Sequence, residues 1–177
     1  LSDTVFGNLN GKGTCVTGGT IAGGGSYSCT FTESLTGSPA TPHNNVVTAT
    51  ASDNDGNSDT ATDDASVGFN DVLPDITVTK TTNPTSVSEL GGAVEFNVVV
   101  TNVNAVAVTL TSLVDSEFGN LNGKGTCVTG GTIAGGGSYT CSFTESLSGQ
   151  PASPHIDTVT ATASDNDGNS DTATDDA

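Results

Sequence analysis

Several residue types are scarce in this 177-residue chain, and each scarcity excludes a class of protein. The chain has no Trp and no Met, and 3 Lys or Arg residues oppose 20 Asp or Glu residues, for a formal net charge of -17. A surface this acidic repels nucleic acid and anionic membranes, so we predict no nucleic-acid partner. No apolar run approaches the roughly 20 residues that a membrane helix needs, so we predict no membrane insertion within these residues.

A low hydrophobic content does not make the chain a disordered acidic tail. Hydrophobic residues form 33% of the sequence, yet Val and Thr alternate along several segments, as they do in half-buried β-strands. The first residues, LSDTVFG, have neither the basic start nor the apolar block of a signal peptide. We therefore predict a folded β protein with a thin core, and any leader would lie outside these residues.

The sequence contains a long internal repeat. The segment FGNLNGKGTCVTGGTIAGGGSY begins at Phe6 and again at Phe118, a period of 112 residues. Residues 1–65 align with residues 113–177 without a gap and differ from them at 11 positions. Such near-identity is typical of a tandem array of interchangeable units.

The repeat divides the chain into two incomplete units. We interpret residues 1–73 as the C-terminal part of one repeat and residues 74–177 as a second repeat that lacks its last strand. Either the chain is one segment of a longer polymer of such repeats, or a neighbouring chain supplies the missing strands by strand addition. In the second case residues 75–102 and 59–69 are the expected donors, because each β-rich segment occurs once.

Strand patterns follow one another at short intervals within one repeat. They cover residues 75–80, 93–102, 108–114, 126–130, 138–147, 157–164 and, in the first copy, 59–69. Alternation places Val94, Phe96, Val98 and Val100 on one face. The dipeptides Asn122-Gly123 and Asp167-Gly168 are typical of two-residue hairpin turns. About seven short strands without helical periodicity predict an all-β fold, an antiparallel β-sandwich of immunoglobulin-like topology, repeated in tandem.

The four cysteines occur as one pair in each repeat. Cys15 and Cys29 are 14 residues apart, as are Cys127 and Cys141, and each pair flanks GGTIAGGGSY. We expect each pair to lie on two adjacent strands and to form one disulfide, and therefore expect a non-cytoplasmic compartment. Free or metal-bound thiols are the alternative, although no C-x-x-C motif or nearby His supports metal binding.

Four segments together carry a resemblance to a known family. They are NPTSVSELGGAVEFNVVVTN, VTLTSLVDSEFGNLNGKGTC, TIAGGGSYTCSFT and VTATASDNDGNSDTATDDASV. The whole 112-residue period resembles the immunoglobulin-like repeats of large secreted bacterial and archaeal surface proteins, which are catalogued as conserved repeats of unknown function. The resemblance implies an immunoglobulin-like fold and an extracellular or cell-surface setting. It implies no catalysis, since such repeats usually serve as stalks or fibre modules.

The stretch SDNDGNSDTATDD, residues 52–64, returns at residues 164–176 and concentrates like charges. Hard cations, Ca²⁺ above all, take six to eight oxygen ligands of this kind. The stretch is not an EF-hand, because Ala51 would occupy the first ligand position. The alternative is a solvated acidic edge that blocks strand pairing between molecules. We predict Ca²⁺ as the cofactor, with the ligands Asp53, Asp55, Asp59, Asp63, Asp64, Asp165, Asp167, Asp171, Asp175 and Asp176.

The linker NDVLPD offers two further carboxylates to the same site. The last hairpin of a sandwich lies near the start of its own domain, so Asp165, Asp167 and Asp171 are expected near Asp71 and Asp75. A cation held between the turn and the linker would stiffen the array.

A few other charged residues lie at unusual positions. Lys80 and Glu145 both fall on the inward face of their strands, so we expect them to be buried only as a pair. A buried Lys can instead join an Asn or Asp side chain in an isopeptide bond, with a Glu nearby, or a strand end can leave it exposed. His43 and His155 lie in Pro-flanked loops, where we expect solvation or local packing.

Three functions fit these features. We predict a structural module of an extracellular filament or stalk whose partners are other copies of itself or adjacent repeats. An adhesin would need an exposed aromatic anchor, and aromatic residues form only 5% of the chain. A spacer of a secreted enzyme would have its active site elsewhere. No Ser-His-Asp set or carboxylate pair in a cleft can be assigned, so we predict no enzyme activity.

Overall fold

The computed structural model of the chain describes all 177 residues and contains β-strands but no helix. The chain forms two compact units, which we call the first unit (Leu1–Asp71) and the second unit (Val72–Ala177). All strand pairs are antiparallel. The predicted all-β, antiparallel class is therefore confirmed.

The first unit contains a single four-stranded sheet. Its strands are β1 (Ser2–Asp3), β2 (Gly7–Asn8), β3 (His43–Ser52) and β4 (Ser58–Val67). The order in the sheet is β2-β1-β3-β4. The long hairpin of β3 and β4 dominates, and every residue of β4 is exposed.

The second unit contains two sheets around one core, an arrangement consistent with a β-sandwich. Its strands are β5 (Ile76–Asn83), β6 (Gly92–Asn102), β7 (Val108–Asp115), β8 (Gly119–Asn120), β9 (Thr132–Ile133), β10 (Ser138–Leu147), β11 (Thr158–Ser164) and β12 (Ser170–Asp176). One sheet has the order β10-β6-β5 and the other the order β12-β11-β7-β8, with β9 also paired to β7.

The core of the second unit follows the alternation in the sequence. Val94, Phe96, Val98 and Val100 are all buried, as their spacing in β6 predicts. They pack with apolar side chains from the other sheet, including Leu113 of β7. Each of these large side chains contributes about 1.5–3 kcal/mol when fully buried, so a narrow core can hold the two sheets together.

Two local predictions are wrong. Residues 126–130 are not a strand, because Cys127 closes a compact turn through backbone hydrogen bonds with Gly123 and Lys124, each 2.8 Å long. Asp167-Gly168 does not form a two-residue hairpin turn. The backbone N–H of Asp165 donates to the carbonyl of Asn169, which leaves a three-residue loop with Gly168 at φ +92°. This is the type of loop that places a glycine in the left-handed region.

Nearly identical segments adopt different structures in the two units. Residues 138–147 form β10, which pairs with β6 along its whole length. The equivalent residues 26–35 of the first unit are in no strand, and no β6 lies beside them in the first unit. A strand needs a hydrogen-bonding partner, so the partner decides whether this segment is a strand.

Candidate functional site

The repeated acidic stretch forms a hairpin loop that its first Asp holds closed. Asp165 Oδ1 accepts the backbone N–H groups of Asp167 and Asn169, each at 2.9 Å. The Asn169 side chain donates to Asp165 Oδ2 at 3.1 Å. The first copy of the loop is built in the same way around Asp53. These two carboxylates therefore act as acceptors within their own loops.

The loop hydrogen bonds lower the pKa of both carboxyls. Desolvation raises the pKa of Asp165, but hydrogen bonds from Asn169 and from the loop backbone lower it by more. For Asp53 the side-chain hydrogen bond from Asn57 is the largest cause, and the pKa again falls below its usual 3.8. The ionised form of each Asp is thus part of the folded loop.

The other Asp residues predicted as calcium ligands lie along strands or in the linker, except Asp55 and Asp167, which lie in the hairpin loops. Asp171 and Asp175 of β12 accept the backbone N–H groups of Ile76 and Lys80, at 2.8 and 2.7 Å. These bonds join β12 to β5, which belongs to the other sheet. The remaining ones are exposed: Asp55, Asp59, Asp63, Asp64, Asp71, Asp75, Asp167 and Asp176.

No group of three or more His, Cys, Asp or Glu side chains in the structure is arranged to hold a metal ion. The Ca²⁺ site and its ligands therefore stay predictions, to be tested by binding.

Both predicted disulfides form. Cys15 bonds to Cys29 and Cys127 to Cys141, each with a Cα–Cα distance of 4.9 Å. Contrary to the expectation of two adjacent strands, only Cys141 lies in a strand, since the other cysteines occupy turns or irregular segments. Two disulfides and no free thiol are typical of an oxidising, non-cytoplasmic environment.

The second unit buries one lysine with two aspartates. Lys80 extends from β5, Asp115 ends β7 and Asp157 directly precedes β11. Lys80 Nζ lies 2.7 Å from Asp115 Oδ2 and contacts Asp157 Oδ1, and the exposed fractions of the three side chains are 0%, 0% and 1%. The ring of Phe96 covers the nitrogen, with its centroid 4.7 Å away. We call these three charged residues the buried triad.

Backbone hydrogen bonds fix the carboxylate of Asp115. Its Oδ1 accepts the N–H groups of Glu117 and Phe118 at 2.9 and 3.0 Å. Burial raises the pKa of Asp115, but the hydrogen bond from Lys80 and those from the backbone lower it by more. Asp115 is therefore a carboxylate with one oxygen held by the chain and the other directed at Lys80.

Asp157 is placed differently from Asp115. Both of its carboxylate oxygens are buried and neither accepts a hydrogen bond, although Lys80 Nζ contacts one of them. The other oxygen lies 3.6 Å from Nε2 of His155. One ammonium facing two carboxylates leaves the buried triad with one excess negative charge, which is costly to desolvate.

The predicted pair of Lys80 with Glu145 is wrong. Glu145 pairs with Lys124 at 2.9 Å, and both side chains are about one-third exposed. The prediction that the side chain of Lys80 points inward is confirmed, but its partners lie on β7 and directly before β11. Glu145 lies near the end of β10, where the side chain reaches the solvent.

The first unit contains the same arrangement without a lysine. Asp3 is equivalent to Asp115 and accepts the backbone N–H groups of Val5 and Phe6, at 2.8 and 2.9 Å. Asn45 is equivalent to Asp157, and its Nδ2 donates to Asp3 Oδ2 at 2.8 Å. The pair is one of the 11 differences between the copies.

The sequence prediction missed Asp115 and Asp157 as partners of Lys80. The signal was present, because alternate residues of a strand point to the same face. Asp115 is two residues after the buried Leu113 of β7, and Asp157 is two residues before the buried Val159 of β11. Testing every ionisable residue for inward parity would have identified all three members of the buried triad.

The histidines pack locally, as expected. His43 lies against Phe6 and His155 against Phe118, with ring centroids 5.7 and 5.8 Å apart. The structure contains no helix long and apolar enough to cross a membrane. Comparisons of the chain with protein-family models, with curated protein sequences and with solved structures found no match.

Proposed function

We propose that this chain is a structural repeat module of an extracellular filament or cell-surface stalk, with immunoglobulin-like units stapled by disulfides. Support comes from the near-identical copies of one 112-residue period, from the disulfide in each unit, and from the different burial of equivalent residues in the two units. That last difference carries the proposal.

The first unit has an open cleft at the position where the second unit has a core. The cleft has a volume of about 290 Å³ and is lined by Asp3, Leu9, Cys15, Phe31 and Asn45, among others. We call it the open cleft.

Asp3, Leu9 and Cys15 are buried in the first unit as their equivalents are in the second, but the other lining residues differ. Phe31 and Asn45 are only half-buried, whereas the equivalent Phe143 and Asp157 are 3% and 2% exposed in the second unit. The strands β5 and β6 supply the cover, since both pack their inward faces against this core. Ile21 shows a larger contrast, because it is 51% exposed while the equivalent Ile133 is 4% exposed.

The occupant that fits the open cleft is a copy of the segment that contains β5 and β6. The repeat copies differ at so few positions that a segment able to cover one unit has the shape and chemistry to cover the other. A series of units, each covered by such a segment from an adjacent repeat or another molecule, extends along one direction. This architecture produces a filament or stalk rather than a closed particle.

Bound calcium would stiffen the series if it joins the acidic loops to the linkers. The supporting observation is that Asp171, two residues after the loop, hydrogen-bonds the backbone of Ile76 directly after the linker residue Asp75. A cation at this junction would hold the linker against the acidic loop.

Electron microscopy of the purified chain in millimolar Ca²⁺, and again after chelation, tests the proposal. We expect elongated, evenly beaded particles that become shorter or more flexible on chelation. Short particles of uniform size at every protein concentration would contradict assembly through the open cleft.

A pair of variants distinguishes cleft-mediated assembly from nonspecific association. Ile21→Asp places a charge at an exposed position whose equivalent, Ile133, belongs to the core of the second unit. Burying an Ile side chain is worth about 1.5–3 kcal/mol, so the dissociation constant should rise by about 10-fold to 100-fold. Ile156→Asp is the control, because Ile156 is 67% exposed in the second unit and lies outside the segment that contains β5 and β6. It should leave association unchanged in sedimentation velocity.

A further inference from the structure

We propose that the buried triad is a self-modifying site, in which Lys80 Nζ and Asp157 Cγ join in an isopeptide bond with Asp115 as the proton carrier. The bond would connect the strand β5 of one sheet to the start of β11 in the other, across the core of the second unit.

The first support is proximity in a dry environment. The amine of Lys80 contacts the carboxyl group of Asp157, and both side chains are at most 1% exposed. A fixed amine and carboxyl replace a bimolecular reaction by a unimolecular one, which is worth an effective concentration on the order of 10⁵ M or more. Phe96 covers the nitrogen and excludes the water that would favour hydrolysis over condensation.

The second support is that the buried triad is a poor ion pair. It has an excess negative charge, and neither oxygen of Asp157 accepts a hydrogen bond. Condensation removes the positive charge and one negative charge together and leaves a neutral amide. The remaining carboxylate, Asp115, keeps its two backbone hydrogen bonds and can accept the new amide N–H.

The third support comes from the first unit, where Asn45 stands in place of Asp157. The carboxylate of Asp3 remains there, so a single carboxylate would be enough to neutralise a lysine and an ion pair does not require a second acid at the position of Asp157. What Asp157 and Asn45 share is an acyl carbon with a leaving group that an amine can attack. The equivalent Asp3 keeps the same carboxylate geometry as Asp115.

The reaction balances without any co-reactant. The lysine ammonium has three protons. Two of them pass through Asp115 Oδ2, which already accepts a hydrogen bond from Nζ, to one oxygen of Asp157. The freed lone pair of Nζ bonds to Cγ, the bond between Cγ and that oxygen breaks, and water leaves. The third proton stays on the amide nitrogen, and Asp115 is a carboxylate again.

Intact mass and tryptic digestion of the full chain test the bond. We expect the mass of the oxidised chain less one water. Lys12, Lys80 and Lys124 are the only tryptic sites, and a modified Lys80 is not cleaved. After reduction and alkylation, residues 13–124 should therefore remain linked to residues 125–177, and fragmentation should locate the link at Lys80 and Asp157.

Variants separate this bond from other losses of water. Lys80→Arg should show the full, unmodified mass, which excludes cyclisation at the two Asp-Gly pairs as the source of the missing water. Asp157→Asn should lose ammonia instead and reach the same final mass as the natural chain. Asp115→Asn should fold, as circular dichroism will show, and stay unlinked because the proton carrier is lost.

Three results would overturn the proposal. They are a folded natural chain that has its full mass and is cleaved after Lys80, a loss of water that persists in Lys80→Arg, and a link between Lys80 and Asn45 of a second molecule. If Asp115→Asn does not fold, Lys80→Arg and Asp157→Asn still decide the question by mass.

Discussion

The ammonium nitrogen of Lys80 lies 2.7 Å from Oδ2 of Asp115, and neither side chain has any exposed surface. Thirty-five residues separate the two in the sequence, and they come from different sheets. Their contact connects β5, the first strand of the second unit, to the end of β7 in the other sheet. The same carboxylate position in the first unit, Asp3, faces an amide instead, which gives each experiment on the second unit an internal control.

Asp115→Ala should lower the free energy of unfolding of the second unit by about 3–5 kcal/mol, because it leaves a buried ammonium without its main partner. Asp3→Ala is the matched control and should lower the free energy of unfolding of the first unit by only about 1–2 kcal/mol. It removes hydrogen bonds but leaves no buried charge without a partner. Urea unfolding measures each unit separately if Tyr139 is the reporter in a Tyr27→Phe background, and Tyr27 in a Tyr139→Phe background. Equal losses in the two units would contradict a special role for the buried triad.

Gly135→Ala and Gly23→Ala change equivalent positions in the two repeats and should differ in effect. A Cβ at Gly135 would collide with the backbone carbonyl of Ala105, whereas one at Gly23 would meet nothing within 4 Å. We expect about 1–3 kcal/mol of destabilisation for Gly135→Ala and almost none for Gly23→Ala. The same urea experiment checks both, and a tolerated Gly135→Ala would contradict the close approach of the Ala105 segment.

Replacing both Cys127 and Cys141 by Ala should lower the stability of the second unit by about 3 kcal/mol. The disulfide closes a loop of 14 residues, and a cross-link of this size restricts the unfolded chain by roughly that amount. Thermal melting before and after reduction of the natural chain provides the control, because reduction should reproduce the effect. A stability that is unchanged by both treatments would show that packing alone holds this part of the core.

The acidic loops should titrate below the usual range for Asp. Because the folded pKa of Asp165 is lowered, its contribution to stability is fully present above the unfolded pKa and is lost as the pH falls through the folded pKa. Carboxyl NMR signals followed during acid titration give the folded pKa of Asp165 and Asp53. Asn169→Ala should raise the pKa of Asp165 toward 3.8 and leave Asp53 unchanged. An Asp165 pKa at the usual value in the natural chain would contradict the loop geometry.

If the acidic loops bind Ca²⁺ as the sequence predicts, calcium should raise the melting temperature. Extracellular calcium modules have dissociation constants of about 10⁻⁴–10⁻³ M, so about 10 mM calcium would add roughly 1.4–2.7 kcal/mol. Calorimetry with calcium, with magnesium and with chelator measures the effect, and the double variant Asp167→Asn, Asp171→Asn should reduce it. Identical melting in all three conditions would identify the acidic stretch as a solvated edge.

The sequence by itself determined the strand alternation, the repeat period and the cysteine pairs, because each is a local or self-similar pattern. It placed Val94, Phe96, Val98 and Val100 in the core correctly, since neighbouring side chains in a strand point to opposite faces. It also placed Lys80 inward. The three-residue acidic loop was not foreseen, although its cause, an Asp that accepts its own loop N–H groups, is local.

Tertiary structure alone decided which residues meet Lys80 and which segments become strands. Local alternation marks Lys80, Asp115 and Asp157 as inward-facing, but they meet because two sheets pack together, and local spacing does not show which inward residues meet. The clearest case is the segment with the sequence SYTCSFTESL at residues 138–147. It is β10 beside β6, whereas its counterpart at residues 26–35 pairs with no strand. Backbone hydrogen bonds in a sheet lie between strands, so a segment's structure depends on a partner that its own residues do not encode.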